Sequence, residues 1–151
     1  MLRRYISLAL FLLLVVGGGS LIGLLNLTGP WYDALRKPVF NPPSWLFGPV
    51  WTALYVMIAI AGWRTAGRFL GGACMKVWIA QLALNFAWSP IFFTAHQIGL
   101  ALAVIIALFG TIIAFISLTW RRDPVSAWLF VPYAFWVAFA TALNGAIWWL
   151  N

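Results

Sequence analysis

Five long apolar segments, separated by short polar connections, fill almost all of this 151-residue chain. Each is about 20–25 residues long, the length that an α-helix needs to cross the hydrocarbon core of a bilayer. Helices suit such segments because every backbone polar group must be paired within the hydrocarbon. The pattern predicts an all-α integral membrane protein, a bundle of five transmembrane helices in one domain over residues 1–151. The predicted helices cover residues 5–27, 44–63, 75–95, 98–120 and 125–150.

Composition argues against a soluble fold and against nucleic acid as a partner. The chain is 65% hydrophobic and only 7% charged, whereas soluble domains carry roughly 25% charged residues. A soluble chain of this length has too much surface to hide so many apolar side chains. The chain has nine basic residues and only two acidic ones. The basic residues lie mainly at the ends of apolar segments, where they anchor helices, so they indicate a membrane protein rather than nucleic-acid binding.

The basic residues are divided unevenly between the two ends of the predicted bundle. Only Arg36 and Lys37 lie on the side of the first loop, residues 28–43. The positive-inside rule therefore predicts a cytoplasmic N-terminus, with the first loop and the C-terminus outward. The first segment is too long for a signal peptide, so we expect an uncleaved helix. We also expect the protein in a bacterial cell membrane rather than an outer membrane. The basic residues of the opposite side are Arg3, Arg4, Arg64, Arg68, Lys76, Arg121 and Arg122.

A polar, proline-containing interval leads into an unusually aromatic helix. Residues 31–55 read WYDALRKPVFNPPSWLFGPVWTALY, and the second predicted helix begins within them. Trp51 and Tyr55 are four residues apart and therefore share one helix face. We expect residues 28–43, hereafter the lid, to close a ligand pocket of which this face is one wall.

Polar and aromatic residues recur on one face of the third and fifth predicted helices. Unpaired polar groups are costly in hydrocarbon, so these faces should point into the bundle. Together with Trp51 they are candidates to hold a flat, apolar ligand and to satisfy its few polar atoms. Core packing and hydrogen bonds between helices explain the same pattern. The residues are Gln81, Asn85 and Trp88 on the third helix, and Trp136, Ala140 and Asn144 on the fifth.

Most of the eleven tryptophans have a simpler explanation. Membrane proteins place Trp at both interfaces with water, where its ring is apolar and its N–H remains hydrated. Trp51, Trp88 and Trp136 are set apart because they share faces with polar or small residues. The tryptophans assigned to the interfaces are Trp31, Trp63, Trp78, Trp120, Trp128, Trp148 and Trp149.

Residues that usually carry chemistry are scarce. Asp33 and Asp123 fall at opposite ends of the predicted bundle, so no carboxylate pair is available for acid–base catalysis. The single histidine, His96, belongs at the membrane edge, and the single cysteine, Cys74, has no partner for an intramolecular disulfide. We therefore expect no metal and no cofactor, and any reaction would depend on aromatic side chains and on the ligand.

Three sequence blocks resemble the TspO/MBR family of tryptophan-rich sensory proteins and translocator proteins. The first block is residues 31–55. The others are QLALNFAWSPIFF at residues 81–93 and VPYAFWVAFATALN at residues 131–144. Their order and separation match the family, and no general membrane pattern requires the tryptophans and prolines of the first block. The resemblance spans most of the chain.

The resemblance implies a five-helix bundle, commonly a homodimer, with a pocket closed by the first loop. Family ligands include protoporphyrin and related tetrapyrroles, isoquinoline carboxamide drugs and, in animals, cholesterol. The end of the last helix, LNGAIWWLN, has Gly145 where animal members carry a Tyr followed by a basic residue, so we expect no sterol recognition there. The implied ligand-binding residues are Tyr32, Pro42, Trp51, Tyr55, Asn85, Phe93, Trp136, Ala140 and Asn144, to which helix faces add Gln81 and Trp88.

The leading hypothesis is a membrane receptor or sensor for protoporphyrin-type tetrapyrroles with a regulatory output. Trp51 and Trp136 would flank the macrocycle, and Arg36 or Lys37 would meet its propionates. The alternative is light-dependent degradation of protoporphyrin with the same two tryptophans as catalytic residues, which no acid–base group supports. Transport of porphyrin or lipid is a third hypothesis. It is disfavoured because the helices lack charge and an inverted repeat.

Overall fold

Five helices of membrane-spanning length form the fold in the computed structural model, which describes residues 2–151. All five are apolar enough to cross a bilayer, and residues 2–151 contain no strand. The predicted all-α membrane bundle is confirmed. The helices are α1 (Leu2–Leu25), the short α2 (Pro30–Ala34), α3 (Ser44–Phe69), α4 (Ala73–Thr94), α5 (Ile98–Thr119) and α6 (Pro124–Leu150).

The first helix ends two residues earlier than predicted, and the lid after it contains a helix of its own. Both the backbone N–H and the side-chain amide of Asn26 donate to the carbonyl oxygen of Ile22, at 3.0 and 2.8 Å, which ends α1. Pro30 begins α2, since its fixed φ suits a first helical position. Asp33 lies in the first turn, where a negative charge is favourable.

Helix α3, which corresponds to the second predicted helix, continues six residues beyond its predicted end at residue 63, and Arg64 and Arg68 lie within it. Both arginines reach the carboxylate of Asp123, which precedes α6. Arg64 donates from Nε to Oδ2 at 3.1 Å and from Nη2 to Oδ1 at 2.6 Å, and Arg68 lies 3.1 Å from Oδ1. Cations also stabilise a helix C-terminus. The basic residues therefore extend the helix instead of ending it.

Internal prolines are accommodated without ending any spanning helix. Pro49 lies within α3 and Pro132 within α6, and both helices continue through these residues. Prolines are tolerated in spanning helices because neighbouring groups pair the freed backbone atoms. Pro90 begins a π-helical turn in which the Ala95 N–H donates to the Pro90 carbonyl at 2.9 Å.

Two glycines let large aromatic rings approach neighbouring helices closely. A Cβ added at Gly19 would overlap the ring of Tyr55, and one added at Gly62 would overlap the indole of Trp78. Trp78 is only 2% exposed, and its Nε1 donates to the carbonyl oxygen of Ile58 at 3.0 Å. The assignment of Trp78 to an interface is therefore wrong, because the absence of a side chain at Gly62 admits its ring to the core.

Helix α6 packs against α3 and α5, and α4 packs between α3 and α5. The core between these helices includes Phe115 and Phe130, which are fully buried with ring centroids 4.1 Å apart. At one end the lid covers the beginning of α5, where Trp31 stacks on His96 at 4.0 Å. The ends of α3 and α5 and the start of α6 meet at the other end. This arrangement places the polar faces of α3, α4 and α6 beneath the lid.

Candidate ligand-binding site

A chain of hydrogen bonds between polar side chains links α3, α4 and α6. The Tyr55 hydroxyl donates to Asn85 Oδ1 at 3.3 Å, and Asn85 Nδ2 donates to the Tyr133 hydroxyl at 2.8 Å. Tyr133 in turn donates to Gln81 Oε1 at 3.1 Å. Gln81, Asn85 and Tyr133 are 0%, 5% and 0% exposed. As the helix spacing predicts, both amides face the interior, where tyrosine hydroxyls pair with Oδ1 and Nδ2 of Asn85 and with Oε1 of Gln81.

Aromatic rings cover this hydrogen-bond chain on its α3 and α6 sides. Trp51 stacks on Tyr55 with ring centroids 5.4 Å apart, and its edge contacts Tyr133 at 6.3 Å. One turn away, Phe47 contacts Trp136 at 5.8 Å. Because Phe47, Trp51 and Tyr55 follow at four-residue intervals, they form one face of α3. The structure thus brings Trp51 and Trp136 to the same interface between α3 and α6.

Two buried N–H donors at this site have no hydrogen-bond acceptor among the described residues. They are Nε2 of Gln81 and Nε1 of Trp136. A buried donor without an acceptor costs about 1–3 kcal/mol, so such groups are uncommon in folded proteins. Carbonyl or carboxylate oxygens of a bound molecule are suitable acceptors for both.

A second aromatic cluster lies directly under the lid. Tyr32 of α2 packs edge-on against Phe92 and Phe93 of α4, with ring centroids 6.2 and 5.4 Å apart. Trp88 stacks on Phe92 at 5.1 Å. The lid is thus held to α4 by ring contacts, and Tyr32, Trp88 and Phe93, all predicted site residues, lie together.

The lid cation nearest this cluster is bound within the lid itself. Lys37 Nζ lies 4.5 Å above the Tyr32 ring and donates to the carbonyl oxygens of Asp33 and Leu35 at 3.2 and 3.4 Å. Burial, and secondly the charge of Asp33, raise the pKa of the Tyr32 phenol, which therefore stays neutral at physiological pH. Arg36 is exposed, which makes its side chain the more accessible of the two predicted cations.

Asn144 has both of its amide atoms occupied by protein groups. Its Oδ1 accepts from Trp88 Nε1 at 3.1 Å, and its Nδ2 donates to the carbonyl oxygen of Ile98 at 3.1 Å. Asn144 is 2% exposed. It therefore orients the Trp88 indole and the start of α5, and a ligand would have to displace one of these bonds to reach its amide.

The sequence-predicted site residues thus form a deep group between α3, α4 and α6 and a lid group above it. Ala140 lies one turn after Trp136 and packs against the core. Pro42 lies in the lid, where its carbonyl oxygen accepts from Asn41 Nδ2 at 3.3 Å. The deep group is Trp51, Tyr55, Gln81, Asn85, Trp136 and Ala140, and the lid group is Tyr32, Pro42, Trp88, Phe93 and Asn144.

Sequence reasoning missed two residues that are central to these groups. Tyr133 joins both amides of the deep group, and Phe92, 2% exposed, contacts the lid. Tyr133 precedes Trp136 by three residues and Phe92 follows Trp88 by four. Residues at these spacings lie side by side on a helix, so helix periodicity from the predicted tryptophans was the available signal.

Known proteins resemble this chain over most of its length. A model of the TspO/MBR family matches residues 10–150. Protein CrtK of Rhodobacter capsulatus is 38% identical over 127 residues, covering 82% of this chain and 79% of its own length. The translocator protein of Homo sapiens is 39% identical over 123 residues, covering 78% and 73%. The tryptophan-rich sensory protein of Cereibacter sphaeroides is 38% identical over 138 residues, covering 90% and 87%.

The matched region includes the lid, all three sequence blocks and both groups of the site. Identities near 38% that extend along most of both chains indicate common descent, and the five-helix architecture agrees with the fold that the resemblance implies. This multi-pass membrane protein belongs to the TspO/MBR family.

Proposed function

We propose that this chain is a membrane receptor that binds protoporphyrin-type tetrapyrroles and similar flat, apolar ligands beneath the lid and has a regulatory output. The observation that carries the proposal is the aromatic interface of α3 and α6, which contains Trp51 and Trp136. Two buried donors there, Trp136 Nε1 and Gln81 Nε2, have no acceptor among the described residues. Flat rings are suited to stacking on such a surface. The relative named tryptophan-rich sensory protein supports a sensory role.

The chemistry of a tetrapyrrole fits the polar groups at the site. Its carboxylates would meet the Arg36 guanidinium at the mouth, since Lys37 already contacts Tyr32 and two lid carbonyls. Metal-free protoporphyrin is favoured over haem. The single histidine, His96, stacks on Trp31 where the lid meets the turn before α5, and is not placed to bind iron in the deep group.

Binding is tested by titrating the purified protein with protoporphyrin in darkness and following tryptophan fluorescence. Trp51→Phe and Trp136→Phe should each weaken binding about tenfold, because each removes a large stacking surface and, for Trp136, a buried donor. Trp149→Phe is the matched control, since Trp149 is 84% exposed at the end of α6. Saturable quenching that is unchanged in both site variants would contradict the proposed pocket.

Light-dependent degradation of protoporphyrin is the second candidate function. The contacts of Trp51 with Tyr55 and Tyr133 favour it, because adjacent oxidisable rings would sit beside a photosensitiser. Illumination of the bound complex should then bleach the porphyrin, and the double substitution Trp51→Phe/Trp136→Phe should stop bleaching under conditions in which the ligand remains bound. Continued bleaching at saturating ligand would exclude a tryptophan mechanism.

Transport is a third candidate function, and the proposal also includes membrane orientation and assembly. The name of the human relative, translocator protein, supports transport of porphyrin or lipid as an alternative, which a liposome flux assay tests. We propose that the N-terminus is cytoplasmic, that the lid and the C-terminus face outward across a bacterial cell membrane, and that the chain forms homodimers. Isoquinoline carboxamide drugs are expected to compete for the same aromatic surface.

A further inference from the structure

A cavity lies far from the aromatic site. It occupies about 440 Å³ where α5 ends and the chain turns into α6. The lid contacts the beginning of α5 through Trp31 and His96, so this cavity is at the opposite end of the bundle. Its lining residues are Ser117, Leu118, Trp120, Arg121 and Arg122.

The two arginines of this cavity are not neutralised by the chain's own acidic residues. The chain has only two acidic residues. Asp123 directly follows Arg122, but its carboxylate is 1% exposed and is held by Arg64 and Arg68. Asp33 lies in the lid at the other end. Arg121 and Arg122 are themselves exposed, so they present two positive charges that suit an external anion.

Exposed aromatic rings place this cavity at the level of lipid headgroups. Trp120 and Trp128 are 46% and 61% exposed, and their ring centroids lie 5.5 Å apart. Tryptophan at the ends of spanning helices marks the boundary between hydrocarbon and headgroups. The adjacent cavity is therefore within reach of a phospholipid phosphate, whereas a soluble anion would gain nothing from the two indoles.

We propose that the cavity at the α5–α6 turn binds the phosphate headgroup of an anionic phospholipid. Arg121 and Arg122 supply charge and donors for the phosphate, while Trp120 and Trp128 pack against the glycerol and the upper acyl chain. Basic pockets between spanning helices are suited to such headgroups. This site is independent of the porphyrin site and does not depend on the function proposed for it.

The test uses brominated lipids, which quench nearby tryptophans. The full chain is reconstituted in two sets of phosphatidylcholine vesicles. One set contains brominated phosphatidylglycerol, and the other contains the same fraction of brominated phosphatidylcholine. The quenching assigned to the cavity is the part of the total tryptophan quenching that disappears in the variant Trp120→Phe/Trp128→Phe. We expect brominated phosphatidylglycerol to quench these two tryptophans more strongly than brominated phosphatidylcholine does, and this difference is the lipid preference of the cavity. Arg121→Gln/Arg122→Gln should reduce the preference, roughly fivefold for each charge removed, while Arg121→Lys/Arg122→Lys should retain most of it.

Arg3→Gln/Arg4→Gln is the matched control, because it removes the same charge from the same end of the bundle. It should leave the preference nearly unchanged, and an equal loss in this variant would overturn a specific site in favour of general surface charge. Equal quenching by the two lipids in the unaltered chain would also overturn the proposal, whether or not the glutamine variant folds. Loss of the preference on adding soluble glycerol phosphate, at constant ionic strength, would assign the cavity to a soluble anion instead.

Discussion

Asn85 joins Tyr55 to Tyr133, accepting a hydrogen bond from the first hydroxyl at 3.3 Å and donating one to the second at 2.8 Å. One side chain of α4 thereby connects α3 to α6 inside the bundle. Asn85 is 5% exposed, so water does not readily replace either partner. Because Trp51 stacks on Tyr55 and touches Tyr133, the same connection fixes the aromatic wall of the proposed pocket.

Removing the Tyr133 hydroxyl should destabilise the fold more than removing the Tyr55 hydroxyl. Tyr133→Phe leaves both Asn85 Nδ2 and Gln81 Oε1 without partners, at a cost of about 1–3 kcal/mol. Tyr55→Phe leaves only Asn85 Oδ1 unpaired, so its cost should be about half as large. Thermal unfolding in detergent, followed by circular dichroism, measures the difference. Equal destabilisation by the two variants would mean that the hydrogen bonds to Tyr133 contribute little.

Adding one methyl group at Gly19 should disturb the proposed pocket from the side of α1. The new Cβ would overlap the Tyr55 ring, so either the ring or α1 must move, at a cost of about 1–3 kcal/mol. Gly19→Ala is therefore expected to lower thermal stability and to weaken porphyrin binding. Gly23→Ala is the matched control, because nothing lies within 4 Å of a Cβ there and alanine favours a helix. A harmless Gly19→Ala would show that α1 does not hold Tyr55 in place.

Features that depend on local sequence were predictable, and those that join distant residues were not. Hydropathy gave the five spans, and helix periodicity placed Gln81 and Asn85 inward, because both signals lie within one segment. The pairing of Arg64 with Asp123 spans 59 residues, and no local pattern encodes it. Burial of Trp78 also escaped prediction, since it depends on the empty space above Gly62 on another helix.

The carboxylate of Asp123 should be essential for joining α3 to α6. Burial favours its neutral form, but hydrogen bonds from Arg64 and Ser126 and the charges of Arg64 and Arg68 prevail and lower its pKa. Asp123→Asn leaves a partly buried guanidinium without its partner, so we expect a loss of about 3 kcal/mol in unfolding free energy at pH 7. Arg68→Gln is the control and should cost about 1 kcal/mol or less, because Arg68 is half exposed.

The contribution of Asp123 should depend on pH in one direction. A folded-state pKa below the unfolded value means that the stabilisation is fully present above about pH 4 and is lost as pH falls through the folded-state pKa. The difference in melting temperature between the unaltered chain and Asp123→Asn should therefore be constant from pH 8 to 5 and shrink in stronger acid. A difference that grows in acid would contradict the lowered pKa.

The side chain of Asn151 fastens the lid to the end of α6. Its Oδ1 accepts from the backbone N–H of Arg36 at 3.0 Å, and its Nδ2 donates to the Arg36 carbonyl oxygen at 3.1 Å. The same Nδ2 donates to the carbonyl oxygen of Ile147 at 2.8 Å, which fixes the orientation of the amide. The lid is thus held by this reciprocal pair in addition to the ring contacts of Tyr32.

Loss of this pair should let the lid open more often without changing the rest of the fold. Asn151→Ala removes both hydrogen bonds, each worth about 1 kcal/mol, so opening should increase roughly tenfold or more. Trypsin measures it directly, because cleavage after Arg36 requires an open lid, while Pro38 protects the bond after Lys37. Asn151→Asp keeps an acceptor for the Arg36 N–H but loses the donor, so its cleavage rate should be intermediate. If all three chains were cut at the same rate, the ring contacts alone would hold the lid.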